Sequence, residues 1–349
     1  NELGPYTFAQ TKSLARICSY EQRMFYAGCA NPVQMNQWLE IVVTTIVEVT
    51  FDFFVVEDDI SAMDASHSQG SMDFQRRLRH RQYPTLPPEI EELYERLRNV
   101  DAYAAEMWMH AEEVNASGIS ATSYNNSVLA MPIRVISITY ALNGGRLPSV
   151  PEVQHVLLLL RTAASGDDGL TFIRGPPPAD FQRLYSECWS LYGFDVKVNV
   201  RPASQWRLST FLGMRPVWTK WGYRWAVEPG RRLKTLFWAF ETTCHPIAWA
   251  RGVALQNNQL GGCLPVFGEI VRHVLSFSGP TKVFSDQPGW VWNGYDVSEG
   301  QTDRTVAEFL SDYDIPYTAY VDFVDRLEQC HDLYYHCVHP VVHAILDKA

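Results

Sequence analysis

The chain has 349 residues, of which 46% are hydrophobic and 19% charged, and its formal net charge is −10. Such a composition indicates a soluble globular protein of two or three lobes, with ample chain for a core. The acidic balance excludes nucleic-acid binding by bulk charge. The most apolar stretch, 41–56, is interrupted by Glu48 and Asp52, so no membrane span is predicted.

The positions of charges and cysteines add further expectations. Between 201 and 251 the sequence has nine Lys or Arg and two acids, whereas from 296 onward it has eleven acids and three basic residues. A polyanion would therefore lie along the middle of the chain. The seven cysteines lack paired spacing, which favours reduced thiols in a cytosolic compartment. Since the chain begins Asn-Glu-Leu-Gly without methionine, we expect a fragment or a processed product.

A strand that ends in acidic residues is the main feature of the first third. Helices are predicted over 11–17 and 33–47, followed by a strand over 51–56 that is rich in aromatic and β-branched residues. The strand leads into Asp59, with Asp58 as the alternative in register, and Asp64 follows beyond a turn. An aspartate at the end of a strand is well placed to reach a metal beside a neighbouring turn.

Charged helices are predicted next, one from about Gln69 and one over 89–98, with a hairpin or extended segment over 106–114. A flexible loop at Ser117-Gly118 then passes into an apolar helix over 128–142, which Pro132 is expected to interrupt. Thr122 and Asn126 are one helical turn apart and share a face. Their neutral polar groups could bind a sugar hydroxyl, or they could cap the helix.

The sequence Ser165-Gly166-Asp167-Asp168-Gly169 is predicted to form a tight hairpin turn. An apolar strand over 156–164 precedes it, and 170–173 can return as the partner strand. Two adjacent carboxylates repel each other unless a cation lies between them, and hard oxygen ligands suit Mg²⁺ or Mn²⁺. An ordinary Asp-Gly turn is the alternative for this pentapeptide taken alone.

The C-terminal half is predicted to contain an amphipathic helix over 181–191, a strand over 194–200 with Lys197 on its polar side, and a hairpin over 209–220. Tryptophans alternate with basic residues here, a composition that suits either RNA binding or an aromatic core. From about 230 the chain is predicted to be mostly helical. A Cys/His cluster near the end suggests zinc or, by the favoured interpretation, a packed helical face; its members are Cys330, His331, His336, Cys337, His339 and His343.

The series Asp-x₄-Asp at 59–64, Ser-Gly-x₃-Thr-x₃-Asn at 117–126 and Gly-Asp-Asp at 166–168 resembles motifs A, B and C of viral RNA-dependent RNA polymerases. The resemblance extends to a D-like strand with Lys197 and an E-like Phe211-Leu212-Gly213. The flanks, Leu3-Gly4-Pro5-Tyr6 and 305–310, resemble noda-like, tombus-like and sobemo-like polymerases of positive-strand RNA viruses. The motifs cover about 50–215, and the family's basic motif F is expected before Asn1.

This resemblance implies an α+β right hand with an antiparallel palm sheet, partial fingers and a helical thumb. The implied boundaries are partial fingers over 1–50, palm over 51–68 with motif A, a fingers insertion over 69–105, palm over 106–215 with motifs B to E, and thumb over 216–349.

The implied activity is template-directed RNA synthesis from ribonucleoside triphosphates by two-metal phosphoryl transfer, as in viral genome replication. Asp59 and Asp167 would bridge two Mg²⁺ or Mn²⁺ ions, with Asp168 as a nearby ligand. Lys197 would protonate pyrophosphate, the alternative being an ordinary surface lysine.

The resemblance also implies a ribose site and a primer site. Asp64 would accept a hydrogen bond from the 2′-hydroxyl, so RNA rather than DNA is the expected product. Its expected neighbours in nucleotide binding are Ser117, Gly118, Thr122 and Asn126. The residues expected at the primer and RNA are Phe211, Leu212, Gly213 and Arg215.

Three rivals belong to other classes. A reverse transcriptase shares the palm but would carry an aromatic residue at 64, a non-catalytic RNA-binding module does not need four positioned aspartates, and a two-metal nuclease does not need Asn126 beside Asp64. The expected partners are template and nascent RNA, ribonucleoside triphosphates and other viral replication proteins. The expected location is the host cytoplasm, with any attachment to membrane replication complexes made through segments outside this chain.

Overall fold

The structure is a computed structural model, and it describes residues 4–96, 99–104, 107–111, 122–236, 245–278, 296–330 and 339–348. These residues contain helices, a five-stranded mixed β-sheet and two two-stranded sheets, which is compatible with the predicted α+β class. None of the helices in the described part combines the length and apolarity that a membrane crossing requires.

The strands are β1 (Met24–Tyr26), β2 (Phe53–Ile60), β3 (Val100–Ala104), β4 (Met107–Ala111), β5 (Leu160–Ser165), β6 (Asp168–Arg174), β7 (Val196–Pro202), β8 (Met214–Thr219) and β9 (Gly222–Val227). The helices are α1 (Gly4–Ile17), α2 (Pro32–Val42), α3 (Gln69–Gln82), α4 (Pro88–Arg96), α5 (Thr122–Leu142), α6 (Val150–Leu159), α7 (Phe181–Leu191), α8 (Pro229–Thr235), α9 (Pro246–Gly261), α10 (Phe267–Ser278), α11 (Asp303–Asp312), α12 (Tyr317–Glu328) and α13 (Pro340–Asp347).

The chain forms two compact units. The first comprises 1–30 and 44–206, and the second comprises 31–43 and 207–349. The longer segment of the second unit begins at 207, nine residues before the implied thumb boundary at 216. The second unit also includes α2, which lies in the segment that was assigned to partial fingers. The described residues of motifs A to D fall within the first unit.

The first unit is built on a five-stranded sheet with the order β1-β5-β6-β2-β7. The pairs β5–β6, β6–β2 and β2–β7 are antiparallel, as expected for a palm. At one edge, however, β1 pairs with β5 in parallel, so the sheet is mixed and the prediction of a purely antiparallel sheet is wrong. The reason is that β1 lies before the whole motif region in the chain, and no hairpin connects it to β5.

One face of this sheet packs against α5 and α7. Phe54, Val56 and Ile60 of β2 enter the same core as Leu129 of α5 and Tyr185 of α7. Because side chains alternate along a strand, Val55, Glu57 and Asp59 lie on the opposite face of β2. The sheet therefore has one helix-covered face and one face that bears polar groups at the C-terminal end of β2.

Two local predictions are corrected. Residues 156–159 were expected to be part of a strand, yet they end α6, and β5 begins at Leu160. The cause is a capping box in which Ser149 and Glu152 start a helix with Pro151 in its first turn. Pro132 does not interrupt α5, which is continuous from Thr122 to Leu142.

The second unit packs the β8–β9 hairpin with its helices around one apolar core. Helix α2 belongs here because the side-chain oxygen of Asn36 accepts a hydrogen bond from the backbone N–H of Trp225, and the Trp225 indole donates to the carbonyl of Met35. Trp38 stacks against Trp225 with ring centroids 6.4 Å apart. Trp225 is thus a core residue, which favours the aromatic-core interpretation at that position.

The basic middle segment and the acidic tail are paired with each other inside the second unit. Asp312 of α11 accepts from Arg207 at 2.7 Å and from Arg215, and Lys220 lies 3.9 Å from Glu299. These pairs neutralise part of the basic segment that was expected to receive a polyanion.

Candidate functional site

Two adjacent aspartates at the end of β2 lie on opposite faces of the sheet. Asp59 is exposed, whereas the Asp58 side chain is fully buried beside Arg134 of α5 and Tyr185 of α7. The Arg134 Nε lies 2.9 Å from both carboxylate oxygens of Asp58, and the Tyr185 hydroxyl donates to the same carboxylate at 2.8 Å. Asp58 is therefore committed to an internal ion pair, and Asp59 is the aspartate that is available to a ligand.

The turn between β5 and β6 consists of Gly166 and Asp167, since Ser165 pairs with Asp168. Gly166 has φ +64, as expected of a glycine at the first position of a two-residue hairpin turn. Two side chains of helix α5 contact this turn. The Ser127 hydroxyl accepts a hydrogen bond from the Gly166 N–H at 2.8 Å, and Arg134 Nη2 lies 3.5 Å from the Asp167 carbonyl oxygen. The turn is thus tied to the same arginine that neutralises Asp58.

Gly169 differs from Gly166 in the reason for which glycine is needed. Among the glycines of the turn region, Gly166 adopts a positive φ and Gly169 does not. A Cβ at Gly169 would lie 2.0 Å from Asp58 Oδ1 and 2.3 Å from the Arg134 guanidinium carbon. Glycine is needed there because the buried ion pair crosses directly over the strand.

The pKa of Asp167 depends on two other carboxylates of the motifs. Loss of hydration raises the pKa of Asp167, and the negative charges of Asp59 and Asp64 raise it further. The charge of Asp59, which is far away in sequence, thus contributes to the raised pKa of Asp167. Crowded carboxylates of this kind are a donor set that a divalent cation would relieve.

The strand register places Asp168 and Lys197 on the same sheet face as Asp59. Asp59 is directly opposite Lys197 in the β2–β7 ladder, and directly opposed residues of neighbouring strands share a face. The β2–β6 register pairs Asp58 with Gly169, so its continuation puts Asp168 beside Asp59. Asp59, Asp168 and Lys197 thus lie at one end of one sheet face.

The predicted ribose-reading residues are partly within the described chain. Asp64 lies in a short 3₁₀ turn over Met63–Ala65, and Asn126 Nδ2 donates to Asp64 Oδ1 at 2.7 Å. Thr122 lies one helical turn before Asn126, as predicted, but α5 begins at Thr122 and not at 128. Ser117 and Gly118 lie outside the described residues. The structure therefore joins the second aspartate of motif A to the asparagine of motif B.

His67 was missed by the sequence analysis, although it touches this pair. Its Nε2 lies 3.1 Å from Asn126 Oδ1, and its Nδ1 lies 3.2 Å from the Ser71 hydroxyl. Arg134, Ser127 and Tyr185 were also missed. A single arginine inside an apolar helix was the available signal for Arg134, while nothing local distinguishes His67.

The E-like residues form a tight turn in the second unit. Phe211 and Met214 exchange backbone hydrogen bonds, so Leu212 and Gly213 are the turn residues, with φ +53 and φ +70. Phe211 is buried and Leu212 is 40% exposed. Arg215, expected at RNA, is 2% exposed and paired with Asp312, so these contacts give it a structural role.

Within the described residues, no three His, Cys, Asp or Glu side chains form a ready-made metal cage. That finding concerns preformed sites, whereas Mg²⁺ is usually held by one or two carboxylates together with water and substrate phosphates. In the C-terminal Cys/His cluster, His339 accepts from the Val341 N–H and lies 3.1 Å from Asp322, and so caps α13. His331, His336 and Cys337 lie outside the described residues.

No protein-family model matches the sequence, and no curated protein matches it significantly.

Proposed function

We propose that this chain synthesises RNA on an RNA template from ribonucleoside triphosphates, as a viral RNA-dependent RNA polymerase with a right-hand architecture. The observation that carries the proposal is the meeting of three separate motifs at one end of a sheet. Asp59 lies beside Asp168 at the end of the sheet, the charges of Asp59 and Asp64 help to raise the pKa of Asp167, and Asn126 is hydrogen-bonded to Asp64.

The donor set fits a pair of divalent cations. Asp59 and Asp167 supply hard oxygen ligands, and Asp168 lies on the same sheet face. When bound, two Mg²⁺ ions would activate the primer 3′-hydroxyl and neutralise the charge of the departing pyrophosphate. The contribution of the protein is to hold its carboxylates near one another before substrate arrives, through the contacts of Ser127 and Arg134 with the turn.

Two further groups complete the proposed site. Asp64 accepts a hydrogen bond from the ribose 2′-hydroxyl, while its bond to Asn126 fixes its orientation. Lys197, opposite Asp59 on the neighbouring strand, donates a proton to the leaving pyrophosphate.

The test is template-directed incorporation of labelled UTP by the full-length protein, with a primed RNA template and Mg²⁺ or Mn²⁺. We expect Asp59→Asn and Asp167→Asn each to reduce incorporation by at least about a hundredfold, because each removes a carboxylate from the metal-binding set. Asp180→Asn is the matched control, since Asp180 is an exposed acid of the same unit that pairs with Arg183.

The outcomes separate the rival functions. Equal or better use of dTTP than of UTP would indicate a DNA-making enzyme, and loss of labelled RNA without incorporation would indicate a nuclease. RNA binding without any metal-dependent incorporation of nucleotides would indicate a non-catalytic RNA-binding module.

A further inference from the structure

His67 lies buried between the ribose-reading pair and α3. It precedes Ser68, the N-cap of α3, and is 8% exposed. The ring packs edge-on against Phe194, with centroids 6.1 Å apart. Both ring nitrogens have polar neighbours, namely Asn126 on one side and Ser71 with Gln75 on the other.

The proton positions follow from the chemistry of the partners. Asp64 is a carboxylate and only accepts, so the amide nitrogen of Asn126 faces it at 2.7 Å. The amide oxygen of Asn126 then faces His67, and because that oxygen also only accepts, His67 Nε2 carries a proton.

The other ring nitrogen is an acceptor in the same scheme. Two donors face Nδ1: the Ser71 hydroxyl at 3.2 Å, whose single proton can go either to Nδ1 or to the carbonyl of Ser68 at 2.8 Å, and Gln75 Nε2 at 3.5 Å. Burial lowers the pKa of His67, in keeping with a neutral ring. One chain of hydrogen bonds thus runs from Gln75 through His67 and Asn126 to Asp64.

We propose that His67 is a positioning residue for ribose selection: it holds the Asn126 amide in the one orientation that aims Asp64 at a 2′-hydroxyl. This inference rests on the proposed polymerase function. Without the His67 donor, the amide oxygen of Asn126 loses this hydrogen bond, so the orientations of the Asn126 amide and of Asp64 are less restricted. The effect falls on substrates that carry a 2′-hydroxyl.

The experiment compares kcat/KM for UTP and dUTP in the full-length protein and in His67→Phe, which keeps a ring but removes both nitrogens. We expect the preference for UTP over dUTP to fall about tenfold, through a rise in KM for UTP, with dUTP affected much less. His67→Gln keeps an amide donor near the Nε2 position and should retain most of the preference. His80→Phe is the control, because His80 is a half-exposed histidine of α3.

A second measurement needs no variant. Nitrogen NMR of His67 at pH 7 should report a neutral ring with the proton on Nε2, and an Nδ1-protonated or doubly protonated ring would overturn the inference. An equal fall for UTP and dUTP in His67→Phe would also overturn it, since that result indicates a purely structural role. If the unmodified protein incorporates no nucleotide at all, the polymerase proposal itself fails, and this result is distinct from an unchanged preference in an active enzyme.

Discussion

Alternation along β2 gives two neighbouring aspartates opposite environments. Asp58 turns into the helix-covered core and meets Arg134, whereas Asp59 turns outward beside Lys197. A shift of one residue in register would exchange the two side chains between these environments. The buried pair with Arg134 therefore selects the register in which Asp59 lies on the sheet face opposite the helices.

At the residue scale, Asp167 should make the metal-free protein less stable at neutral pH. Its pKa is raised, first by loss of hydration and then by Asp59 and Asp64. A carboxyl whose pKa is raised on folding contributes stability at low pH, and this contribution is lost as the pH rises through the folded-state pKa. Asp167→Asn should therefore raise the melting temperature at pH 7 without divalent metal, and the gain should shrink toward pH 4.

Thermal melts by circular dichroism measure this effect. Mg²⁺ bound at the proposed site should raise the melting temperature of the natural protein, because a ligand of the folded state stabilises that state, and Mg²⁺ should have little effect on Asp167→Asn. Asp180→Asn should respond to Mg²⁺ like the natural protein. A metal-free Asp167→Asn variant that melts lower at pH 7 would contradict the crowding of the carboxylates.

At the element scale, the β5–β6 hairpin depends on two glycines for different reasons. Gly166 supplies a positive φ in open space, while Gly169 leaves room for the Asp58–Arg134 pair. The hairpin, β2 and α5 thus meet at Gly169 of β6, which has no side chain and lies against the buried Asp58–Arg134 pair.

Gly169→Ala should destabilise the protein by about 3 kcal/mol, because the added methyl group must displace a buried charge pair. Gly166→Ala is the matched control in the same hairpin and should cost about 1 kcal/mol through its left-handed backbone alone. Urea unfolding followed by tryptophan fluorescence measures both. A larger loss for Gly166→Ala than for Gly169→Ala would count against this account of the turn.

Several elements were predictable from the sequence, whereas the hairpin predicted over 209–220 lies over 214–227, as β8 and β9. Helices α3 and α7, the β5–β6 turn and the β2 strand follow from periodicity and turn residues. Residues 156–159 were taken as strand because an apolar run alone does not distinguish a strand from a helix end. The Ser149–Glu152 capping box was the deciding signal.

At the scale of the whole molecule, charges that are segregated in the sequence are neutralised within one unit. Arg207 and Arg215 from the basic middle share Asp312 of the acidic tail. Counting charges along the sequence therefore overestimates the unpaired positive charge of the second unit. The two compact units also divide the chain in an order that the motif boundaries did not indicate, because 31–43 belongs with 207–349.

The assignment of α2 to the second unit can be tested through Asn36. Asn36→Ala removes the acceptor for the buried Trp225 N–H and should destabilise the second unit by about 2 kcal/mol. Hydrogen exchange should show faster exchange in β8 and β9 with unchanged protection in β5 and β6. Val33→Ala, at an exposed site of the same helix, should change neither hairpin. Equal loss of protection in both hairpins would contradict the assignment of α2 to the second unit.

The sequence by itself determined the chemistry available to the protein: aspartates at a strand end and in a tight turn, an asparagine one helical turn into α5, and the spacing that resembles polymerase motifs. These are local properties, since turn residues and side-chain periodicity act over a few neighbours. Only the tertiary structure decided between Asp58 and Asp59, paired Arg215 with Asp312 and brought His67 to Asn126. Each of those outcomes depends on a contact between segments that are distant in sequence. Which side chains meet in such a contact is decided by how the helices and strands pack, and local sequence does not specify that packing.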